Sequence, residues 1–198
     1  MKNHSQTSPQ KKSLSVKFHE YDSLSFFSVL SEDVKRYKGW KNALIYYGFW
    51  IVLLYRLSHC LHKNHLDYLA IIIQFVTKII TGCDISRKAV IGPKLSIFHP
   101  QSIFVGPYVK MGQSCTIGPN CFIGSSKSAA DPDDYPVIDD KVFISSGAQI
   151  LGCITIGEKT HIGPNAVVMK DVPANSIVAP PTSRIFSKEK FHDFSQNQ

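Results

Sequence analysis

The feature that most constrains this chain is an aliphatic residue that returns at every sixth position through its second half. The series is unbroken at Ile138, Ile144, Ile150, Ile156, Ile162 and Val168. The fourth position after each of the first five is small or β-branched, as Val142, Ala148, Ile154, Thr160 and Ala166. Such regular self-similarity indicates a repeat architecture rather than a collection of unrelated elements.

A period of six predicts a coil of triangular cross-section, in which each flat face takes one six-residue unit. The aliphatic residue points inward, the small residue fits a corner, and glycine after several units relieves crowding at the turn. Three units close one coil, and the coils stack through parallel hydrogen bonds over an aliphatic core. We therefore expect a mainly β protein, a left-handed parallel β-helix over residues 83–178, with ordinary short strands in a sandwich as the alternative.

The repeat is interrupted twice. Between Ile97 and Val105 its phase slips by two residues. It halts again at Gly124 and resumes at Ile138, and the intervening residues 125–136 read SSKSAADPDDYP. Rich in Ser, Asp and Pro, this segment is typical of a loop extruded from a corner. Because binding residues concentrate in loops carried by a rigid scaffold, we expect the chemistry at these two interruptions.

Ahead of the repeat, residues 16–82 carry apolar side chains at helical spacing, so we expect an α-helical region. A break is expected near Asn64. The aromatic residues beside Lys38 and Lys41 leave peripheral contact with a membrane interface as an alternative to packing within the protein. The longest uncharged run in this helical region is Asn42–Tyr55. It is shorter than the roughly 20 residues that a membrane-spanning helix needs.

Composition narrows the partners and the compartment. The net charge of +7 favours an anionic partner. Its basic residues form only short clusters, such as Lys35–Arg36, and no dense stripe, which argues against nucleic acid. The five cysteines include no CxxC pair and indicate small apolar fillers in a reducing compartment. Residues 1–15 are polar, so we expect a disordered tail, no signal peptide and a cytoplasmic protein; residues 179–198 are expected to form a C-terminal tail.

His99 stands at the first interruption, where a regular coil gains nothing from an imidazole. Asp84 lies 15 residues earlier, close to the length of one coil, so the two side chains can lie near each other. A carboxylate in that place would fix the tautomer of His99 and stabilise its protonated form. Such an imidazole takes a proton from a hydroxyl and returns it to a thiolate leaving group. The alternative for a lone pair of this kind is a surface decoration.

Residues 82–106 resemble the catalytic region of serine O-acetyltransferases and of related sugar acetyltransferases, with the sequence GCDISRKAVIGPKLSIFHPQSIFVG. In that family an aspartate at the place of Asp84 and a histidine at the place of His99 form the catalytic dyad. The resemblance covers about residues 44–185, including the closing repeats ILGCITIGEKTHIGPNAVVMKDVPANS. It implies an acetyl-CoA-dependent enzyme, a homotrimer, and direct transfer without a metal or a covalent intermediate.

The same resemblance implies a path for acetyl-CoA along the later coils. Ser146, Gly163, Pro164 and Lys170 would line the pantetheine and adenine. Arg184 would meet a coenzyme phosphate, in keeping with the basic charge. The plain alternatives are a turn glycine for Gly163 and a solvated charge for Lys170.

Departures from the family suggest the acceptor. Serine O-acetyltransferases carry a second histidine at the end of the extruded loop, where this chain has Tyr135. They usually have aspartate before the catalytic histidine, where this chain has Phe98. A site that lacks polar partners for the charged groups of serine binds it poorly. We therefore expect a sugar or polysaccharide hydroxyl as acceptor, as in capsule or exopolysaccharide modification, with Tyr135 and Phe98 on the acceptor side.

Two other functions are alternatives. A serine O-acetyltransferase of cysteine biosynthesis predicts activity on free serine. A non-catalytic β-helix scaffold explains the repeats but leaves His99 and the loop without a role. A metal site at His59, His62 and His65 is not favoured, because no carboxylate or cysteine group completes the ligand set.

Overall fold

The computed structural model of the protein describes residues 9–180 and contains an α-helical region followed by a parallel β-helix. The helices are α1 (Pro9–Ser23), α2 (Phe26–Arg36), α3 (Trp40–Ile45), α4 (Tyr47–Lys63) and α5 (Asp67–Thr81). The strands are β1 (Asp84–Ile85), β2 (Val90–Ile91), β3 (Ser96–Ile97), β4 (Phe104–Val105), β5 (Lys110–Met111), β6 (Thr116–Ile117), β7 (Phe122–Gly124), β8 (Val137–Ile138), β9 (Phe143–Ile144), β10 (Gln149–Leu151), β11 (Thr155–Ile156), β12 (His161–Ile162), β13 (Val167–Val168) and β14 (Ile177–Val178).

The strands form three parallel faces that succeed one another along the chain. Face A contains β1, β4, β7, β10 and β13, face B contains β2, β5, β8 and β11, and face C contains β3, β6, β9, β12 and β14. The register places the aliphatic residues directly above one another, as in Ile85, Val105 and Ile123. The predicted left-handed parallel β-helix with a helical N-terminal region is confirmed, and the sandwich is excluded.

Burial of the repeated aliphatic residues forms the core. Every member of the series from Ile117 to Ile162 is fully buried. Transfer of such a side chain out of water stabilises the fold by about 1.5–3 kcal/mol. The corner residues are small for the reason expected, since Ala148 has no exposed surface at all. The polar corner residue Thr160 is satisfied by donating from Oγ1 to the carbonyl of Pro173 at 3.0 Å.

Two kinds of corner are important for the site. We call CA corners the segments that lead from face C to face A, and AB corners those that lead from face A to face B. The CA corners are residues 98–103, 118–121, 145–148 and 163–166, and the AB corners include residues 86–89, 106–109, 125–136 and 152–154. The loop at 125–136 therefore emerges between faces A and B.

Helix α4 covers the open end of the first coil. Its residues Ile51, Val52 and Tyr55 join the β-helix core, and the Tyr55 hydroxyl donates to the carbonyl of Ala89 at 2.8 Å. The start of α4 approaches face C so closely that a Cβ at Gly48 would overlap the carbonyl oxygen of Ile97. Only glycine fits this contact, and it fixes how the helices meet the first coil.

A buried ion pair fastens α2 and α4 to the first coil. Asp33 has no exposed surface and accepts from Arg56 Nε at 2.9 Å. The guanidinium also donates to the carbonyls of Ile91 and Gly92 at 2.6 and 2.7 Å, and Asp33 accepts from the backbone N–H of Leu95 at 3.2 Å. The pair is fully hydrogen-bonded, as a charge removed from water requires.

Helix α1 departs from the sequence-based expectation. Residues 9–15 belong to the segment expected to be disordered, yet they are helical, while residues 1–8 lie outside the described part of the chain. The physical reason is a pair of apolar side chains one helical turn apart, Leu14 and Phe18, which are both buried. Lys17 adds ion pairs to Asp139 and Asp140 at 2.6 and 2.7 Å.

Helix α5 ends at Gly82, which takes the left-handed conformation of a helix C-terminus. Its outward face is apolar and solvent-exposed in the single chain, at Tyr68, Leu69, Ile71, Ile72, Phe75, Val76, Ile79 and Ile80. Despite these apolar residues, none of the helices in residues 9–180 has the length and hydropathy of a membrane span.

Candidate active site

His99 lies in a cleft of about 890 Å³ between the first coil and the helices. The helical side contributes Arg36 and Tyr37 from the end of α2, and Tyr46 and Tyr47 from the start of α4. The β-helix side contributes residues 96–101, among them His99. The cleft exists because Gly48 holds the start of α4 against Ile97, close to the corner that carries the imidazole.

The phase slip in the sequence is what exposes His99. The first CA corner contains six residues, 98–103, whereas the next contains four, 118–121. The two additional residues are accommodated with left-handed backbone at His99 (φ 45°) and Ser102 (φ 49°). The regular CA corners contain the same conformation once each, at Asn120 and Asn165 for example, so it is the greater length that distinguishes the corner of His99. The imidazole is exposed and forms no hydrogen bond with any other described residue.

Asp84 lies beside the same corner. It opens the first coil on face A, and its backbone N–H donates to the carbonyl of Ile103 at 2.8 Å. Its carboxylate accepts from Gln74 Nε2 at 2.7 Å and from Lys78 Nζ at 2.9 Å. The predicted Asp84–His99 pair therefore shares one corner, but the hydrogen bonds of the carboxylate go to α5 rather than to the imidazole.

Three of the residues predicted to contact coenzyme lie on the same edge as His99. Ser146 occupies the third CA corner, and Gly163 and Pro164 occupy the fourth. Backbone hydrogen bonds join successive corners: Asn120 N–H to Gln101, Gly147 N–H to Pro119, and Asn165 N–H to Ser146, at 2.8–2.9 Å. We call this stack the CA column. Lys170 follows β13 and is on a different edge, and Arg184 lies outside the described residues.

An aromatic row on face C runs parallel to the CA column and was not expected from the sequence. Phe98 stacks on Phe143 with ring centroids 5.7 Å apart, and Phe143 contacts His161 at 4.6 Å. The Ser145 hydroxyl lies 3.1 Å from His161 Nε2. The signal was present: Phe143 and His161 are 18 residues apart, each one position before an inward isoleucine, so they share a face.

Tyr135 lies away from His99 within one chain. It is buried at the base of the extruded loop, where its ring contacts Tyr108 and its hydroxyl donates to the carbonyl of Ala129 at 3.0 Å. Asp134 closes this loop by accepting from the backbone N–H groups of Ser126 and Lys127. Burial opposes ionisation of this carboxyl, but these hydrogen bonds outweigh it and lower the pKa of Asp134.

The helical histidines have structural partners. His59 Nδ1 lies 2.7 Å from the carbonyl oxygen of Arg87, and His62 Nδ1 lies 2.6 Å from Asp67 Oδ1. Within residues 9–180, histidine, cysteine and carboxylate side chains form no group of three or more that could hold a metal ion.

Residues 135–170 match the family model described as "Bacterial transferase hexapeptide (six repeats)". The serine acetyltransferase of Helicobacter pylori is 31% identical over 168 residues, which span 85% of this chain and 98% of the relative. That of Bacillus pumilus is 32% identical over 161 residues, spanning 77% of this chain and 74% of the relative. The structure of Neisseria gonorrhoeae serine acetyltransferase in complex with serine has a TM-score of 0.73 at 25% identity, covering 90% of this chain and 78% of that chain.

These comparisons correct the expected acceptor. A sugar or polysaccharide hydroxyl, with a role in capsule or exopolysaccharide modification, is the wrong interpretation, because these relatives and this solved structure are serine acetyltransferases. The prediction takes Tyr135 and Phe98 as acceptor contacts. Tyr135 packs at an AB corner away from His99 within one chain, whereas Phe98 lines the same cleft as His99 and stacks on Phe143. The expectation that these two residues lie on the acceptor side stays a prediction.

Proposed function

The chain belongs to the serine acetyltransferase family, and from this premise we propose that it transfers an acetyl group from acetyl-CoA to the hydroxyl of L-serine. The observation that carries the proposal is His99, exposed in the cleft on the lengthened corner that Asp84 borders. The position matches the catalytic histidine of the resemblance. The product would be O-acetylserine, as in cysteine biosynthesis.

In the proposed reaction His99 acts as a general base. It accepts the proton of the serine hydroxyl while the oxygen attacks the thioester carbonyl, which gives a tetrahedral intermediate. Collapse of this intermediate breaks the carbon–sulfur bond, and the imidazolium returns the proton to the coenzyme A thiolate. The resemblance gives Asp84 the role of orienting the imidazole; in this chain Gln74 and Lys78 hold its carboxylate beside the same corner. Transfer is direct, so no side chain of the chain becomes acetylated.

We place acetyl-CoA along the CA column. Ser146, Gly163 and Pro164 line this edge, and it begins at the corner that carries His99. The aromatic row beside it offers an apolar wall to the pantetheine arm. A thioester carbon at His99 and a coenzyme extended toward Pro164 satisfy both sets of contacts in one bound pose.

A homotrimer would explain why some of the predicted site residues lie away from the CA column of their own chain. Tyr135 and Lys170 lie away from the CA column of their own chain, so they can approach a CA column only from a neighbouring subunit. Assembly would also give the exposed apolar face of α5 an opportunity for burial. Sedimentation equilibrium measures the assembly directly, and a monomer at micromolar concentration would contradict it.

The decisive experiment follows thiol release from acetyl-CoA with and without L-serine. We expect serine-dependent release, and a loss of about 10²–10⁴-fold in kcat for His99→Ala, the range typical of a general base. The matched control is His19→Ala, which removes an exposed imidazole from α1. Absence of serine-dependent release in the wild type, or full activity in His99→Ala, would overturn the proposal.

A further inference from the structure

Arg36 brings to the cleft a positive charge that the reaction steps above do not use. It is the last residue of α2, is solvent-exposed, and lines the cleft together with His99. Its Nη2 donates to Thr116 Oγ1 at 3.1 Å. Among residues 9–180 no carboxylate lies within ion-pair distance of it. Its neighbours differ: Lys35 pairs with Glu32, and Arg56 pairs with Asp33.

The other side chains that line the cleft leave Arg36 free to bind an anionic ligand. Among the residues that the structure describes, no aspartate or glutamate lines the cleft, and the only other basic side chain there is the imidazole of His99. A carboxylate entering the cleft thus meets a guanidinium without a competing anion. Arginine presents several N–H donors in one plane, which matches the two oxygens of a carboxylate. Thr116 engages Nη2, so the remaining donors can face a ligand.

Tyr37 lies beside Arg36 in the same wall of the cleft. Its hydroxyl oxygen is buried and points into the protein, with Ser96 and the backbone of Ile97 beside it. Burial raises the pKa of Tyr37. Because a ligand in the cleft cannot reach this buried oxygen, Tyr37 supports the wall from which Arg36 extends and does not contact the ligand.

We propose that Arg36 binds the carboxylate of the acceptor amino acid and so directs its hydroxyl toward His99. The inference deepens the proposed function and rests on it. It also accounts for a departure from the family: Tyr135 stands where the resemblance expects an acceptor-binding histidine, and its hydroxyl is already engaged by Ala129. Recognition of the charged acceptor is thereby moved from the extruded loop to the end of α2.

The test compares L-serine with L-serinamide, which keeps the hydroxyl and the amino group but has no carboxylate. In the wild type we expect KM to be lower for L-serine. In Arg36→Met we expect KM for L-serine to rise about 10–100-fold, the range for a lost charge-assisted hydrogen bond. The KM for L-serinamide and both kcat values should change little, so the preference for the carboxylate disappears.

Three further variants and a measurement of folding test whether Arg36 acts through its charge and its geometry. Lys35→Met removes the neighbouring positive charge and should behave as wild type. Arg36→Lys should recover part of the affinity, because an ammonium retains the charge but not the planar fork. Tyr37→Phe should leave KM for L-serine close to the wild-type value, because the buried hydroxyl does not reach the ligand. Circular dichroism melting of each variant shows whether it folds as the wild type does.

The outcomes separate the two proposals. If the wild type acetylates L-serine but Arg36→Met keeps its KM and its preference over L-serinamide, the assignment of Arg36 is wrong and the proposed function stands. An equal loss with L-serine and L-serinamide would also refute it, since carboxylate binding cannot explain such a loss. If the wild type shows no serine-dependent thiol release, both proposals fail.

Discussion

The β-helix and the helical region are held together in different ways. The β-helix repeats one solution in each coil, an inward aliphatic residue above another, so its stability is spread over many equivalent positions. The helical region has only a small apolar cluster of its own, and its attachment to the first coil depends on single contacts: the Asp33–Arg56 pair and Gly48 against Ile97. A distributed core tolerates the loss of one member, whereas a region fixed by unique contacts does not.

The largest effect is expected at the buried ion pair. Arg56→Met leaves the Asp33 carboxylate buried without its counter-charge, which should lower the free energy of unfolding by about 3–5 kcal/mol. Urea unfolding followed by circular dichroism measures the change. Lys63→Met on the same helix is the control, and the double variant Asp33→Asn/Arg56→Met should recover part of the loss. A change below about 1 kcal/mol would mean that the helical region is held by apolar packing instead.

A smaller loss is expected in the β-helix. Ile150→Ala creates a cavity in the middle coils and should cost about 2–4 kcal/mol, while parallel strand pairing above and below is retained. The far-ultraviolet spectrum should therefore stay native, and serine-dependent activity at 20 °C should stay within about twofold of wild type, because a repeat array transmits changes mainly to neighbouring repeats. Global unfolding of this variant would show that the core is not distributed as described.

The smallest effect is expected at the contact of α1 with face B. Lys17→Met removes two partly exposed ion pairs, which should cost about 0.5–1 kcal/mol at pH 7. Partial burial opposes the charge, but the hydrogen bonds that Lys17 donates to Asp139 and Asp140 prevail and raise the pKa of Lys17. A raised pKa means that the stabilisation is present below the ordinary lysine pKa and is lost as the pH rises through the folded value.

The pH dependence gives this last prediction its control. The difference in unfolding free energy between wild type and Lys17→Met should be constant from pH 7 to 9 and should shrink above pH 10.5. Measuring the difference removes from the comparison the titration of groups that lie far from Lys17. A difference that grows with pH would contradict the ion-pair assignment.

The same contrast explains what the sequence predicts. The β-helix is visible because each coil repeats one geometry, so its period survives in the sequence at Ile138 through Val168. Helix α1 is not visible, because Leu14 and Phe18 are two apolar residues in a polar segment and two positions define no period. The Asp33–Arg56 pair joins residues 23 positions apart, and no local pattern connects them.

Whether a site residue can be predicted from the sequence also depends on its relation to the repeat. His99 can be found because it breaks a regular series, and the two-residue slip marks its corner. Arg36 is missed because it belongs to a short basic cluster with Lys35, which from sequence resembles any solvated pair. Only the end of α2, docked over the cleft, distinguishes the two side chains. The aromatic row is partly predictable from the sequence, because its 18-residue spacing can be recognised once the length of one coil is known.

The number of coils in the CA column sets the distance between its first and last corners. His99 belongs to the first coil and Pro164 to the fourth, so three strand spacings separate them, about 14 Å in all. A molecule that reacts at His99 and is held at Pro164 must lie extended over that length. Each coil adds one strand spacing to this length. One coil more or fewer would move Pro164 by about 4.8 Å and leave the chemistry at His99 unchanged. Ligand length and reactivity are thus set by separate parts of the same chain.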